Sequence, residues 1–324
     1  MLLFLSAWYG NKKFKDEGPL RKETTYVVQR GSTFHSIEPD LIARDIIPRQ
    51  GGLDMFLCAV WMLGKSSQLK AGEFLFLPGM SMYDIVKTLT EGPVIEYSIT
   101  FPEGWTSYQI MKKIQVDTRL VGGLPSMPLE GTLLPNTYFF PRGTSRIELI
   151  NRIKQAQKKE LARIWATRSE GLPVKTESEL VILASIVEKE TSIHNERSHI
   201  ASVFMNRLNK GMRLESDPTI IYGIFGGKRK PKGRPIYRSD IRHATPYNTY
   251  RINGLPPTPI TNPGLASMKA VAQPLKTSDL FFVADGRGGH FFSETLQQHN
   301  DNVLKWRNLK KKKESIKVHY HQYQ

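Results

Sequence analysis

One glutamate stands at the end of a long apolar run, in a position that favours acid chemistry. Residues 180–187 are apolar apart from a single serine, and Glu188 follows them directly. At 100° per residue, Glu188 lies about 40° from Ala184, on a face that is otherwise apolar. Burial disfavours the charged form of a carboxyl, and a general acid working near neutral pH must keep its proton. The pattern therefore predicts a general acid, although a surface glutamate at a fraying helix end beside Lys189 fits it too.

A second acid, Glu190, is close in sequence but not on the same helix face. It lies about 200° around the helix from Glu188, so the two carboxyls cannot act as one pair. We assign Glu190 to the helix surface or to a supporting role. Other catalytic signatures are missing from the sequence, which has no Gly-rich phosphate loop, no Gly-x-Ser-x-Gly, no His-Glu-x-x-His and no transition-metal spacing. Nucleotide, serine-esterase and zinc-protease chemistry are poorly supported.

Caps and helix breakers place this glutamate at the end of a buried helix. Thr176 begins, with the spacing of a capping box, a helix that runs to Glu188. Because this helix is apolar nearly all round, we expect it to lie inside a domain. A second helix is predicted over 196–210, and Asp217 followed by Pro218 predicts the N-cap of a third.

The rest of the chain predicts a mixture of strands and helices. Apolar spacing indicates a strand, two helices and a second strand over 26–77, and then a strand at 94–101. Near the end, two aromatic-rich strands flank the loop Asp285–Gly289 and predict a hairpin, which a closing helix over 294–309 follows. Cys58 lies in an apolar run and is predicted to be a core residue. The fold class expected is α+β.

Composition and charge exclude some classes of protein. With 324 residues, 40% hydrophobic and 23% charged, the chain is long enough for about two folded domains and is neither disordered nor a multi-span membrane protein. Lysine and arginine number 46 against 30 acids, a net charge of +16. Nucleic acid, anionic lipid or an anionic cell-wall polymer would each suit that charge. The basic clusters 228–234 and 310–313 are interpreted as a solvated loop and tail.

The first nine residues are apolar but too short to cross a membrane. As a helix they would span about 15 Å of a hydrocarbon core of roughly 30 Å. Either they are the end of a longer membrane anchor, or they form a short apolar tip that frays or packs.

Several motifs stand in the order found in a known family. Over more than 120 residues the sequence resembles the endolytic murein transglycosylase (YceG-like) family, and it does so through these segments: Ala184-Ser-Ile-Val-Glu-Lys-Glu-Thr191, Ala201-Ser-Val-Phe-Met-Asn-Arg-Leu208, Met212-Arg-Leu-Glu-Ser-Asp-Pro-Thr219, Pro246-Tyr-Asn-Thr-Tyr250, Gly254-Leu-Pro-Pro257, Phe282-Val-Ala-Asp-Gly286 and Gly288-Gly-His290. The resemblance implies a LysM-like βααβ N-terminal subdomain and a mixed α/β catalytic domain. The division it implies is 1–24 residual membrane anchor and linker, 25–92 LysM-like subdomain, 93–309 catalytic domain and 310–324 basic tail.

The resemblance also implies an activity and gives Glu188 the catalytic role. Enzymes of this family cut nascent peptidoglycan strands internally at the MurNAc-GlcNAc β-1,4 bond, leaving 1,6-anhydro-MurNAc ends and terminating strand elongation. No metal or organic cofactor is implied. Peptidoglycan synthases are the expected partners, with a single anchor in the bacterial inner membrane and the catalytic domain in the periplasm.

Five polar or aromatic residues are candidates for binding the sugars, because glycan sites combine hydrogen-bonding side chains with aromatic faces. They are Asn206, Asp217, Tyr222, Asn248 and Tyr250. Helix capping, loop closure or core packing would explain each of them equally.

Three other functions stay open at this point: a muramidase that hydrolyses the same bond, a non-catalytic cell-wall scaffold, and a nucleic-acid binder. The last ranks lowest, because the basic residues are not interleaved with aromatic ones.

Overall fold

The computed structural model describes residues 12–49 and 54–321, with the backbone alone described beyond residue 310. The apolar segment at residues 1–9 therefore lies outside the described residues. The chain divides into two compact units. One holds the residues up to 99 together with 117–123 and 138–149, and the other holds 100–116, 124–137 and everything from 150 onward.

The first unit is built on a two-stranded antiparallel sheet with helices against it. Strand β1 (Thr24–Val28) pairs with β2 (Gly72–Phe76), and the helices α1 (Phe34–Ala43) and α2 (Met55–Met62) come between them in the chain. The strand, helix, helix, strand order predicted for this region is present. Helix α3 (Met82–Thr90) follows and completes the unit's helical layer.

The core of the first unit begins earlier in the chain than residue 25. Phe14 and Leu20 are buried with the side chains of the sheet and helices. Backbone hydrogen bonds also join this segment to the turn after β2, since the N–H of Gly18 donates to Gly79 O (3.2 Å) and the N–H of Gly79 donates to Leu20 O (2.9 Å). The prediction that Cys58 is a core residue was wrong: its side chain lies on the exposed face of α2.

A second pair of strands and two helices connect the sheet of the first unit to the larger unit along the chain. They are β3 (Glu96–Thr100), α4 (Ser107–Val116), β4 (Thr137–Pro141) and α5 (Arg146–Ala166), and β3 pairs with β4.

The second unit is mainly helical and closes with a hairpin. Its elements are α6 (Glu177–Glu190), α7 (Arg197–Asn209), α8 (Asp217–Phe225), α9 (Arg238–Arg242), α10 (Leu265–Ala272), β5 (Phe281–Ala284), β6 (His290–Ser293) and α11 (Leu296–His321). Helix α6 is buried among α7 and α10, as its apolar composition predicts. The predicted hairpin is confirmed, with Phe281 opposite Ser293. The fold class, α+β, is confirmed too.

The C-terminal helix is longer than expected. The prediction of a closing helix over 294–309 was wrong in its end point, because α11 continues to His321 through the lysine-rich segment. Among the described helices, none combines the length and the apolar composition that crossing a membrane requires.

The buried helix α6 generates a stability prediction. Leu183 is fully buried in the core of the second unit, so Leu183→Ala should lower the free energy of unfolding by about 2–5 kcal/mol. Ser178→Ala, at an exposed position of the same helix, should change it by about 0.5 kcal/mol or less. Urea unfolding followed by circular dichroism measures both, and equal losses in the two variants would contradict the packing described here.

Candidate active site

The helix that carries Glu188 is capped at one end and leads into a polar cluster at the other. The Thr176 hydroxyl accepts the N–H of Glu179 at 3.1 Å and so begins α6. Every residue from Leu180 to Val187 is buried. Glu188 follows with only 5% of its side chain exposed. The carboxyl therefore lies at the edge of the core, where few water molecules reach it.

Two groups hold the Glu188 carboxylate. The N–H of Gly264 donates to its Oε2 at 2.9 Å, and Arg197 Nη2 lies 3.6 Å from its Oε1. Gly264 is the N-cap of α10, so the carboxylate lies at the positive end of that helix. The carboxylate thus has a backbone N–H against one oxygen and a guanidinium near the other.

A second carboxylate shares the same arginine. Arg197 Nη2 is 3.5 Å from Glu103 Oε2, so one guanidinium lies between Glu103 and Glu188. Arg197 is 7% exposed, and its Nε has no hydrogen-bond partner among the described residues. Burial, and then the charge of Glu188, raise the pKa of Glu103, against the opposing charges of Arg197 and His194.

Glycines bring Glu103 close to helix α6. A Cβ at position 264 would lie 1.8 Å from Glu103 Oε1, so the position accepts only glycine while Glu103 keeps this place. Gly104 has φ +74°, and a Cβ there would lie 3.5 Å from Glu188 Cγ. Sequence reasoning did not select Glu103. The available signal was the turn Pro102-Glu103-Gly104, which directly follows the strand predicted at 94–101.

A single buried amide, that of Asn262, holds the segment that carries Glu103. Its backbone N–H donates to Trp105 O at 2.9 Å, and its backbone O accepts the N–H of Gly104 at 3.1 Å. Its side chain, fully buried, also contacts Trp105 O and bonds to three further groups, namely Ser107 Oγ, Glu130 Oε2 and the N–H of Leu133. Since a buried amide that loses its partners is costly, these bonds fix the turn in one position.

An open cavity of about 700 Å³ adjoins this cluster. Glu103 and Arg197 line one side of it, and the side chains of His194, Asn195, Ser198, Lys269 and Gln273 line much of the rest. Its size is that of a small-molecule or sugar site, and its lining is rich in hydrogen-bonding groups. The cavity thus reaches Glu103 and Arg197, the two groups of the cluster that are among its lining residues.

The model of the YceG-like family matches residues 26–305, a range that includes Glu103, Glu188, Arg197 and Gly264. The chain belongs to the YceG-like family.

Proteins similar to this YceG-like chain include two with assigned names. The endolytic murein transglycosylase of Bacillus subtilis (strain 168) is 30% identical over 331 residues, covering 91% of this chain and 89% of that protein. The endolytic murein transglycosylase of Streptococcus pneumoniae serotype 2 (strain D39 / NCTC 7466) is 29% identical over 289 residues, covering 75% of this chain and 52% of that protein. The crystal structure of a YceG-like protein from Listeria monocytogenes is 30% identical, covers 87% of this chain and 99% of that chain, and has a TM-score of 0.49.

Two of the five residues predicted to bind sugar are used in loop closure. Asn206 Nδ2 donates to Thr277 O and Asp279 O, both at 2.9 Å, and so fastens the segment before β5. Asn248 is 1% exposed, and its Nδ2 donates to Ile241 O at 2.9 Å and to His243 O at 2.7 Å. Their amide donors are thus occupied by backbone carbonyls.

The other three predicted residues lie around α8. The Tyr250 hydroxyl donates to Asp217 Oδ1 at 2.8 Å, and the Tyr222 ring packs edge-on against Tyr247 with 4.8 Å between centroids. Asp217 is the first residue of α8, and the N-cap is Ser216, so the predicted cap was wrong by one position. Within the described residues, no hydrogen bond or ion pair joins Glu188 to any of the five. Their sugar-binding role stays a prediction.

The predicted supporting role of Glu190 has a clear counterpart in the structure. The Ser216 hydroxyl donates to its carboxylate, next to Asp217 at the start of α8. Burial raises the pKa of Glu190 to about 7, against the hydrogen bond from Ser216. Glu190 therefore links the end of α6 to the start of α8, and this hydrogen bond does not involve Glu188.

Glu130 generates a prediction about pH and stability. Burial raises its pKa from 4.5 to about 7, against hydrogen bonds from Ser107. Because the folded chain holds this proton more tightly than the unfolded chain does, the stabilisation is complete below about pH 4.5 and is lost as pH rises through about 7. Glu130→Gln stays neutral. Between pH 5 and 8 its free energy of unfolding should therefore gain on that of the wild type by an amount of the order of 1–3 kcal/mol.

Urea unfolding at pH 5 and pH 8 measures this change, with the exposed Glu170→Gln as the matched control. Glu130→Gln and Glu170→Gln curves that run parallel to the wild type over the whole range would contradict the burial of an acid at position 130.

Proposed function

We propose that Glu188 is the acid and base that cleaves the MurNAc-GlcNAc β-1,4 bond inside nascent glycan strands, leaving a 1,6-anhydro-MurNAc end and terminating elongation. The chain is an enzyme of the lytic transglycosylase class, a lyase that acts on peptidoglycan, as its family membership and the named relatives support. The observation that carries the finer proposal is the position of Glu188, buried at a core edge and held by Gly264 and Arg197.

The reaction needs one carboxyl that works in both directions. Protonated Glu188 donates its proton to the glycosidic oxygen as the C1–O bond breaks. The resulting carboxylate accepts the proton of the substrate's own 6-hydroxyl while that oxygen bonds to C1. The proton returns to Glu188 at the end of the cycle, and no water is consumed. One residue can thus serve a reaction for which hydrolases generally use two carboxylates.

The surroundings of Glu188 hold the carboxylate that forms in this cycle. The N–H of Gly264 donates to one of its oxygens and Arg197 lies near the other. Arg197 also lies against Glu103, so its positive charge is shared between the two carboxylates.

A cellular setting completes the proposal. We place the enzyme at the bacterial inner membrane, with its catalytic unit in the periplasm beside peptidoglycan synthases that deliver the strand.

Hydrolysis of the same bond is the second candidate, and Glu103 is the observation that favours it. Both carboxylates lie within 3.6 Å of the same guanidinium nitrogen, and paired carboxylates are what a glycoside hydrolase uses to protonate the bond and activate water. Product mass separates the two reactions, since hydrolysis adds one water and transglycosylation adds none.

Glu188→Gln should lower the rate of peptidoglycan cleavage at least about 100-fold, because glutamine cannot donate the required proton. Mass spectrometry of digests of purified peptidoglycan measures the products. The wild type should give anhydro-ended fragments, and these should vanish in the variant. Glu179→Gln, in the first turn of the same helix, is the matched control and should keep wild-type activity.

Two results would contradict the proposal. Reducing-end fragments from the wild type would establish a hydrolase, in which Glu103→Gln should then abolish cleavage. Glycan binding without any product, unchanged in Glu188→Gln, would establish a cell-wall scaffold.

A further inference from the structure

A strongly basic loop lies beside the candidate active site. This basic loop, residues 226–237 between α8 and α9, contains five lysines and arginines and no acid. The Thr106 hydroxyl donates to Gly227 O at 2.6 Å, three residues along the chain from Glu103. At its base, a Cβ on Gly227 would lie 3.1 Å from Glu130 Oε1. The hydrogen bond from Thr106 thus holds the start of the loop against the segment that follows Glu103.

The charge of the loop reaches the catalytic helix. Lys189 follows Glu188, and burial, together with the positive charge of Arg229, lowers its pKa against the charge of Glu188. Lys189 Nζ also donates to Gly104 O at 3.5 Å. Arg229 is therefore close enough to act on groups beside the catalytic carboxyl. The loop and the site share one electrostatic environment.

Two of the five cations hold the loop in shape. Arg234 pairs with Asp240 at 2.8 Å, and Lys230 Nζ donates to the backbone oxygen of Arg234. Asp240 Oδ2 in turn accepts the N–H of Tyr237 at 2.9 Å. The segment predicted as a solvated loop is therefore braced by its own contacts.

The other three cations are Lys228, Arg229 and Lys232, and they face solvent. Among the described residues none of them forms an ion pair. Three like charges on one braced loop repel each other, and an anionic ligand would relieve that repulsion. The arrangement is what a binding site for carboxylates or phosphates requires.

The chemistry of the substrate identifies the anion, an argument that rests on the proposed function. In an intact strand the sugars carry hydroxyl and acetamido groups and no charge, because the lactyl carboxyl of each muramic acid is bonded as an amide to its stem. The negative charges of the strand are the carboxylates of the peptide stems, one stem on each muramic acid. A cationic surface that shares the turn beside the cleaving carboxyl would meet stems on the strand that occupies the site.

We propose that Lys228, Arg229 and Lys232 bind the carboxylates of peptide stems, so that the enzyme selects glycan with free stem carboxylates over glycan whose stem carboxylates are blocked as amides. The contacts are exposed, so salt weakens them and each adds a modest amount of affinity. Recognition of the stems is then separate from the sugar contacts at Glu188.

Binding tests the proposal without any need for turnover. In the Glu188→Gln chain, cosedimentation is measured with uncross-linked peptidoglycan and with the same glycan after its stem carboxylates are converted to amides, both with their stem amines acetylated, and gives two dissociation constants. The glycan with free stem carboxylates should bind about tenfold more tightly, and 0.5 M NaCl should remove the difference. Adding Lys228→Gln, Arg229→Gln and Lys232→Gln should make the two constants equal. The matched control carries Lys158→Gln, Lys159→Gln and Lys210→Gln, the same charge change at exposed positions, and should keep the preference.

Three results would overturn the proposal: equal binding of both glycans by the parent chain, a preference that survives in the triple variant, or an equal loss of preference in the control. A further arm uses vesicles of phosphatidylglycerol. If the loop variant loses vesicle binding but keeps its stem preference, the cations serve a lipid surface instead. None of these binding measurements depends on cleavage. If the proposed cleavage reaction is wrong, the error therefore appears in the product analysis and not in the binding data.

Discussion

The burial of helix α6 on all sides is the constraint on which the second unit depends. Eight consecutive residues, Leu180 to Val187, are removed from water, and a single helix has no apolar surface of its own to cover them. Helices α7 and α10 supply that cover. Their packing delivers Arg197, from the start of α7, and Gly264, from the cap of α10, to the one end of α6 where the apolar run gives way to a carboxyl.

Polar groups at that end are ordered by hydrogen bonds and not by apolar contact. Asn262 joins the turn at Gly104 and Trp105 to the loop around Glu130 and Leu133, and it does so with every polar atom of its amide side chain. A buried network of this kind stabilises the fold only when all its members are satisfied, and it then permits one arrangement. That rigidity keeps Glu103 beside Arg197 in a region that is otherwise open to the cavity.

The cations of the chain are divided between paired and exposed positions. A net charge of +16 suggests a surface with general affinity for anions, but the structure uses many cations in pairs and caps. Three exposed cations that form no ion pair among the described residues, Lys228, Arg229 and Lys232, stand together in the basic loop. The first unit has a core of its own, built around Phe74 and Phe76 of β2, and its buried Glu73 is paired with Arg142.

Local patterns in the amino-acid order predicted much of the fold: the capped apolar helix that carries Glu188, the βααβ order of the first unit and the C-terminal hairpin. These features depend on periodicity and turn residues within short windows. Packing between distant segments decided the rest. Glu103 reaches the site from 85 residues away, Asn206 and Asn248 are used in closing loops, and Cys58 lies on the outer face of its helix. Such outcomes depend on which surfaces meet, and no short window of sequence contains that information.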